Sequence, residues 1–288
     1  FTGGSSGANL VITLDADASA AAVSELLQNI TYQNTDTDNP TTGNRTVRYV
    51  LTDGDGGTSS NYDTTVAVSA VNDAPTIANL DGDTLNYSEG DAASVIDTSG
   101  NAAVTDVDSS NFDTGTLTVS FTAGSDSAED VLAIQSVGTN AGEISVSGSA
   151  ISYGGTQIAT FTGGTSGDDL VITFDADASA AAVSELLQNI TYQNTDTDNP
   201  TTGNRTVRYV LTDGDGGTSA NYDTTVAVST VNDAPTIANL GGDTLNYSEG
   251  DAATVIDTSG NAAVTDVDSS NFDTGTLTVS FTAGSDSA

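Results

Sequence analysis

Short stretches of alternating apolar and polar residues recur along the chain, separated by turns rich in Gly, Asp, Asn and Ser. An alternation of period two predicts β-strands with one buried face. The longest stretches are RTVRYVLT at Arg205–Thr212 and YDTTVAVS at Tyr222–Ser229. Further strands are predicted at Thr84–Tyr87, Gly115–Thr122, Val131–Gln135, Glu143–Val146, Ile151–Tyr153, Thr156–Thr162 and Leu170–Phe174.

One segment follows a helical period instead. Ser179–Ile190, with the sequence SAAAVSELLQNI, begins at a capping Ser and places Val183, Leu186, Leu187 and Ile190 on one face. We expect this helix to pack against the sheets. About ten short strands with a single short helix favour an all-β fold, specifically a β-sandwich, over a barrel or a βαβ arrangement.

The chain repeats its own sequence, with Phe161 starting a second copy of the stretch that begins at Phe1. Residues 1–128 align without a gap with residues 161–288 and differ at eight positions. We therefore predict tandem β-sandwich domains with one short helix per repeat. Residues 1–73 form the C-terminal part of a preceding repeat, residues 74–233 a complete repeat, and residues 234–288 the N-terminal part of a following one.

The predicted boundaries carry the same heptapeptide, VNDAPTI. It occupies Val71–Ile77, the first joint, and returns unchanged at Val231–Ile237, the second joint. Each copy follows a strong strand, and its Pro cannot continue a hydrogen-bonded ladder. This composition is typical of a short, stiff connection between two β domains.

The charge balance excludes several classes of partner. The chain has 40 acidic and 4 basic residues, a net charge of −36, and no Lys, His, Cys, Met or Trp. Nucleic acid and anionic membrane surfaces would repel such a chain. No apolar run approaches the roughly 18 residues of a membrane span, so we expect no membrane insertion.

The residue types also argue against an enzyme. A Ser nucleophile has no His or Lys base here, and Cys chemistry is absent. A glycosidase pair of carboxylates is compatible with the composition. Near-identical tandem copies are nevertheless what spacers need, so we expect no catalytic activity.

Acidic residues cluster where the predicted strands end. Two carboxylates about 4 Å apart repel by roughly 1 kcal/mol in water and about 4 kcal/mol near a protein surface. Three or four converging on one point would therefore need a cation, and Ca²⁺ accepts carboxylate, amide and carbonyl oxygens. The clusters, each of which returns one period later, are Asp15/Asp17, Asp36/Asp38/Asn39, Asp53/Asp55, Asn72/Asp73, Glu89/Asp91, Asp106/Asp108 and Asn111/Asp113.

A solvated turn in which Asp accepts hydrogen bonds from its own backbone is the alternative at each cluster. We favour it at Asp36/Asp38. Asp15/Asp17 and Asp175/Asp177 fit the start of a helix, where the dipole attracts acids. Arg205 and Arg208 are predicted to neutralise nearby carboxylates, and Tyr32, Tyr49 and Tyr62 to lie in the core or on a sheet face.

Several of these segments resemble cadherin repeats. VTDVDSSNFDTGTLTV at Val104–Val119 is similar to the cadherin segment with an Asp-x-Asp, an Asn and a Gly-led strand. LTDGDGG at Leu211–Gly217, followed by a strand and VNDAP, is similar to a repeat running into its linker. With NITYQNTDTDNP and NRTVRYVLTDGDGG, the repeat resembles the cadherin-like and bacterial Ig-like tandem modules of giant secreted, RTX-type adhesins.

The resemblance implies Ca²⁺ at each joint. At the first joint it implies the ligands Asn72, Asp73, Asp106, Asp108, Asn111 and Asp213. At the second joint it implies the ligands Glu89, Asn232, Asp233, Asp266, Asp268 and Asn271. Ala70 and Thr230 stand where the cadherin linker has its first Asp, and Ala74 and Ala234 where it has its last Asn, which implies fewer ions per joint.

The leading hypothesis is therefore an extracellular spacer or stalk of a large bacterial adhesin, secreted or on the cell surface. Neighbouring repeats of the same chain are its partners, and Ca²⁺ stiffens the joints. Cell-surface or matrix glycans would be bound through other domains. The alternatives are a filament subunit that assembles into extracellular or matrix fibres, as in biofilms, and a carbohydrate-binding module that uses exposed tyrosines.

Overall fold

A computed structural model describes residues 1–284 and shows a mostly β chain with two short helices. The chain divides into two compact units, Phe1–Val71 and Asn72–Ala288. The first unit contains helix α1 (Ala20–Gln28) and the antiparallel strands β1 (Gly43–Tyr49) and β2 (Tyr62–Val68).

The described part of the second unit contains helix α2 (Ala180–Leu187) and fifteen strands. The strands are β3 (Thr76–Ala78), β4 (Thr84–Ser88), β5 (Ser94–Val95), β6 (Ala103–Thr105), β7 (Thr116–Ala123), β8 (Asp130–Ile134), β9 (Ile144–Ser147), β10 (Ala150–Tyr153), β11 (Thr156–Thr162), β12 (Leu170–Phe174), β13 (Ile190–Asn194), β14 (Gly203–Leu211), β15 (Tyr222–Ser229), β16 (Thr236–Ala238) and β17 (Ala263–Thr265).

A large mixed sheet dominates this unit. Its eight strands follow the order β4-β15-β14-β7-β12-β11-β10-β9, and the β15–β4 pair is parallel while the others are antiparallel. A three-stranded sheet has the order β5-β13-β8, and β3-β6 and β16-β17 form separate pairs.

The central strand β14 shows why the alternating pattern predicts the sheet. Arg205, Val207, Tyr209 and Leu211 are buried, whereas the residues between them are half-buried. The side chains of successive strand residues point to opposite faces, so a period of two places every second residue in the core.

The small sheet and the helix complete the same core. Tyr192 of β13 packs edge-on against Tyr87 of β4, with ring centroids 4.9 Å apart, and against Phe121 of β7 at 6.2 Å. Helix α2 buries Val183 and Leu187 among others. The predicted packing of this helix against the sheets is confirmed, since these residues belong to the same hydrophobic core cluster as the buried residues of the strands.

The predicted helix is wrong at its C-terminal end. It ends at Leu187, not at Ile190, and Ile190 instead opens β13 by pairing with Ile134. The Asn189 amide turns back to donate to the Glu185 carbonyl at 2.8 Å, which closes the helix before the β-favouring Thr191. Residues 74–233 contain thirteen strands, four of which (β3, β5, β6 and β13) were not predicted.

Candidate metal centre

The first joint is connected to two acidic loops. The side-chain amide of Asn72 donates to Asp213 Oδ2 at 2.7 Å and to the Asp73 carbonyl at 2.9 Å. The Asp73 N–H donates to Asp108 Oδ2 at 3.2 Å. The structure therefore brings the Asn-Asp pair together with the Asp-x-Asp loop and the DGDGG loop, which are far apart in sequence.

Asp106 presents a buried oxygen with no neighbour to satisfy it. Its Oδ1 accepts from the N–H groups of Asp108 at 3.3 Å and Ser109 at 3.1 Å, while Oδ2 is buried and has no hydrogen-bond partner. Burial raises the pKa of the Asp106 carboxyl, and the nearby Asp108 carboxylate adds to the effect. A cation beside Oδ2 would stabilise the ionised carboxylate and so oppose both effects.

Asp213 is fixed by its own turn. Its Oδ1 accepts from the N–H groups of Asp215, Gly216 and Gly217 at 2.8, 3.0 and 2.9 Å, and the residue is fully buried. Burial acts to raise the pKa of Asp213, but the hydrogen bonds from Asn72 and from these N–H groups outweigh it, and the pKa is lowered. Asp213 is thus held ionised beside Asn72.

Gly217 allows the joint to approach this turn. A Cβ at this position would lie 2.2 Å from Asp213 Oδ2, 2.7 Å from the Asp73 carbonyl oxygen and 2.8 Å from Asn72 Nδ2. Replacing Gly217 by Ala is therefore expected to lower the free energy of unfolding by about 1–3 kcal/mol, measured by urea denaturation, because the joint must move away.

Gly57 is the matched control, since it occupies the same position in the preceding copy. The three atoms nearest to a Cβ there all belong to the Asp53 side chain, with Oδ2 at 2.3 Å. Gly57→Ala should therefore cost less than Gly217→Ala. Equal losses would show that the contact with Asn72 and Asp73 does not stabilise the joint.

The second joint is held from both sides. The Val231 N–H donates to Glu89 Oε2 at 2.8 Å, and the Asp233 N–H donates to Asp268 Oδ2 at 3.0 Å. The Asn232 amide donates to the Asp233 carbonyl at 2.6 Å. Glu89 precedes this joint in the chain and Asp268 follows it, so acidic groups from two successive segments bind its backbone.

Several buried carboxylate oxygens at the two joints have no hydrogen-bond partner among the described residues. Five buried side-chain nitrogen or oxygen atoms have no hydrogen-bond partner in the described part of the chain, and four of them belong to predicted calcium ligands. Leaving a buried charged oxygen unsatisfied is costly. The four atoms are Glu89 Oε1, Asp106 Oδ2, Asp233 Oδ2 and Asp268 Oδ1, and the fifth is the Tyr209 hydroxyl.

The remaining predicted ligands are engaged in turns. Asn111 Oδ1 and Asn271 Oδ1 each accept from the N–H two residues later at 3.0 Å. Asp266 Oδ1 accepts from the Ser269 N–H at 2.9 Å. Within residues 1–284, no three His, Cys, Asp or Glu side chains form a group able to hold a metal ion. Further ligands at the joints would therefore be Asn oxygens, backbone carbonyls and water.

Other acidic clusters form the self-closing turns expected as the alternative. Asp53 Oδ1 accepts from the N–H groups of Asp55 and Gly57, both at 2.9 Å. Asp196 does the same for Asp198 and Asn199, and these hydrogen bonds lower its pKa. At the helices, Ser19 and Ser179 are the capping residues, and the preceding acids close a turn.

The predicted roles of the arginines are confirmed in the complete repeat. Arg208 forms a bidentate pair with Asp223, with both contacts at 2.8 Å. Arg205 pairs with Asp130, with Nε 3.1 Å from Oδ2, and both side chains are buried. The partner Asp130 was missed, because the sequence shows an inward-facing Arg but not which of 40 acids meets it.

The tyrosines differ between the two copies. Tyr192 and Tyr209 are fully buried in the complete repeat, and burial raises the pKa of each. The tyrosines named from the sequence, Tyr32, Tyr49 and Tyr62, lie in the first unit, where Tyr32 is 49% and Tyr62 65% exposed, so these two are not core residues there. The buried copies offer no ring face to a sugar.

Comparisons of the chain with known protein families, curated protein sequences and solved structures found no match. In residues 1–284, no helix has the length and hydropathy needed to cross a membrane.

Proposed function

We propose that this chain is a segment of an extracellular spacer, built from tandem β-sandwich domains whose joints bind Ca²⁺. The spacer would belong to a large bacterial surface or secreted protein and would hold a binding domain away from the cell. The cadherin-like sequence features and the near-identical copies support this role. The observation that carries it is the set of buried, partnerless carboxylate oxygens at both joints.

Each of the two joints displays part of one ligand set, and the parts overlap at Asp108 and its counterpart Asp268. At the first joint, the loops of Asp106/Asp108 and Asp213 follow the Asn-Asp pair. At the second joint, Glu89 of the complete repeat and Asp268 of the next segment both contact the joint backbone. Because the joints are identical in sequence, a joint between two complete repeats would combine all of these groups.

The donor chemistry favours Ca²⁺. The available groups are carboxylates, Asn side chains and backbone carbonyls, and the chain has no His or Cys. Ca²⁺ takes 6–8 oxygens with flexible geometry, and extracellular modules bind it with dissociation constants of about 10⁻⁴–10⁻³ M. Zinc and copper prefer nitrogen and sulfur ligands.

Calcium would act mechanically at the joint. When bound, it supplies the positive charge that the facing carboxylates lack. Glu89 belongs to the complete repeat and Asp268 to the segment that follows, so a cation shared by their free oxygens ties the two together. Without it, the carboxylates repel and the joint gains bending freedom.

Replacing Glu89 by Gln tests this function. We expect the variant to bind Ca²⁺ about tenfold or more weakly in calorimetric titrations, because losing a ligand should cost at least as much as losing a partner outside the ligand shell. The maximum dimension from small-angle X-ray scattering, measured in Ca²⁺ and in EDTA, should differ for the parent chain and converge for the variant.

Glu249→Gln provides the matched control. Glu249 lies one period after Glu89 in the same SEG sequence and is exposed. This substitution should leave calcium affinity and scattering unchanged. Identical scattering of the parent chain in Ca²⁺ and EDTA would contradict a calcium-stiffened spacer.

A further inference from the structure

One hydroxyl in the complete repeat is surrounded by three acceptor oxygens. Ser99 Oγ lies 3.2 Å from Asp83 Oδ2 and 3.0 Å from Asp97 Oδ1. The third oxygen, Asn101 Oδ1, is 2.8 Å away. A serine hydroxyl carries one proton, so it can donate to only one of these oxygens at a time. Turning the Asn101 amide would bring its nitrogen to Ser99, and the two carboxylates would still face that one proton.

The spacing of these oxygens matches that of ligands around a cation. Ligand oxygens lie about 2.3–2.6 Å from a Ca²⁺ ion and therefore about 3 Å from one another. Asp97, Ser99 and Asn101 stand at alternate positions of the sequence DTSGN, and calcium loops such as the EF-hand likewise supply ligands from positions 1, 3 and 5. Asp83 approaches from the turn before β4. Carboxylate, amide and hydroxyl oxygens are thus brought together from two segments.

The carboxylate of Asp97 is buried without a counter-charge. The residue is 1% exposed, and its oxygens accept from the N–H groups of Gly100 at 2.9 Å and Ala102 at 2.8 Å. In residues 1–284, every salt bridge joins an arginine to another acid. Burying a carboxylate is costly unless a positive group accompanies it. The hydrogen bonds therefore fix the position of this carboxylate, but they do not neutralise its charge.

A second buried group near this cluster has no partner. The Tyr209 side chain is fully buried, and its hydroxyl has no hydrogen-bond partner in the described part of the chain. Burial raises the pKa of Tyr209, and the carboxylates of Asp97 and Asp83 add to the rise, which Thr224 opposes. The hydroxyl is thus close enough to feel both carboxylates. A water molecule bound to a cation between them would give this hydroxyl a partner.

The next copy of the sequence forms the same oxygen cluster. Ser259 Oγ lies 3.1 Å from both Asp257 Oδ1 and Asp243 Oδ2. Asn261 Oδ1 is 2.7 Å from the same hydroxyl. Asp257 is half-buried, whereas its counterpart Asp97 is fully buried, so the cluster forms in two different surroundings. The local sequence therefore determines the arrangement.

We propose that a Ca²⁺ ion binds within the complete repeat, at a site separate from the joints, with the ligands Asp83, Asp97, Ser99 and Asn101. Strand β6 separates this site from the first joint, since Asn101 precedes the strand and Asp106 follows it. The ion would supply the positive charge missing beside Asp97 and would tie the turn before β4 to the loop before β6. Backbone carbonyls and water would complete its shell. The proposal does not depend on calcium at the joints.

Calorimetric titration of the 288-residue chain with Ca²⁺ tests the site through Asp83→Asn. The substitution removes one charge and keeps the shape of the side chain. The variant should bind one ion fewer than the parent chain, or bind that ion about tenfold more weakly. Asn101→Ala should have the same effect, and because Asn101 is exposed, this second variant keeps the test valid if Asp83→Asn folds poorly.

Asp81→Asn is the matched control. Asp81 lies in the same turn and is exposed, and its Oδ1 accepts from the Asp223 N–H at 2.9 Å, a hydrogen bond that an amide oxygen can also accept. This variant loses the same charge and should bind calcium like the parent chain. Equal binding by the parent, Asp83→Asn and Asn101→Ala would overturn the proposal. If Glu89→Gln then still weakens binding, the proposed function remains, whereas a parent chain that binds no calcium would overturn both.

Tyr209→Phe tests the buried hydroxyl by a second measurement. In EDTA, removing a buried hydroxyl that has no partner should leave the Tm unchanged or raise it. In millimolar Ca²⁺, the variant should lose part of the rise in Tm that calcium produces, because water bound to the ion loses its partner. The same change in Tm in both solutions would contradict a cation beside Tyr209.

Discussion

Replacing Arg205 by Met is expected to lower the free energy of unfolding by about 3–5 kcal/mol, because it leaves a buried carboxylate without its counter-charge. The Arg205 and Asp130 side chains are 0% and 1% exposed, and Nε lies 3.1 Å from Oδ2. The guanidinium also donates to the carbonyls of Thr201 and Gly203. Urea denaturation followed by tyrosine fluorescence would measure the loss.

The preceding copy supplies the control. Arg45 is the same residue one period earlier and donates to the carbonyls of Thr41 and Gly43, but it has no salt bridge among the described residues. Arg45→Met should therefore cost less than about 1 kcal/mol. Equal losses at Arg45 and Arg205 would show that the buried pair is not the cause.

A double variant distinguishes the effect of the Arg205–Asp130 charge pair from the effect of side-chain packing around it. Arg205→Met combined with Asp130→Leu removes both charges and should recover a large part of the loss. The Tyr192 hydroxyl, which donates to Asp130, would lose its acceptor, so the recovery should be incomplete.

Replacing Phe112 by Ala is expected to cost about 3–5 kcal/mol of unfolding free energy, because it opens a cavity in the core. Phe112 is fully buried and lies against Phe174, with ring centroids 6.0 Å apart. Its N–H also donates to the Ala178 carbonyl at 2.9 Å, which ties the loop before β7 to the start of α2. The urea midpoint would report the loss.

Phe272 occupies the same position one period later and is 53% exposed. Phe272→Ala should therefore change the unfolding free energy by less than about 1 kcal/mol under the conditions used for Phe112→Ala. A loss at Phe272 as large as at Phe112 would mean that the two copies share one packing environment.

Alternation predicted the long strands because burial on one face is a local property of the sequence. Strand β7 was predicted at 115–122 and lies at Thr116–Ala123, and β15 was predicted at its observed bounds, Tyr222–Ser229. The strands missed in the complete repeat are two to five residues long. Too few residues were present to show a period, and tertiary pairing determines them.

The helix end illustrates the same limit. Ile190 fits the helical face by spacing, yet it opens β13 opposite Ile134 in β8. Both conformations bury Ile190, so its hydrophobicity could not distinguish them. Whether Ile190 is helical or extended depends on its pairing with β8, which lies much earlier in the chain. A local sequence pattern carries no information about that pairing.

The sequence predicted many residues of the candidate metal centre, but not the hydrogen bonds between residues that are distant in the chain. The Asn-Asp pairs and the Asp-x-Asp loops stand out because acids and Asn recur at the strand ends. That Asn72 donates to the distant Asp213 follows only from the folded chain. The turn that Asn111 closes with Asp113 is local, and it matches the solvated turn that the sequence offered as the alternative to a metal ligand.

An anomalous difference map from crystals of this chain grown in millimolar calcium would show whether the second joint binds an ion. A calcium-binding joint predicts an ion at the second joint within about 2.3–2.6 Å of oxygens of Glu89 and Asp268, with Asn oxygens, backbone carbonyls and water as the further ligands. A map without an ion there, with these carboxylates directed into water, would contradict it.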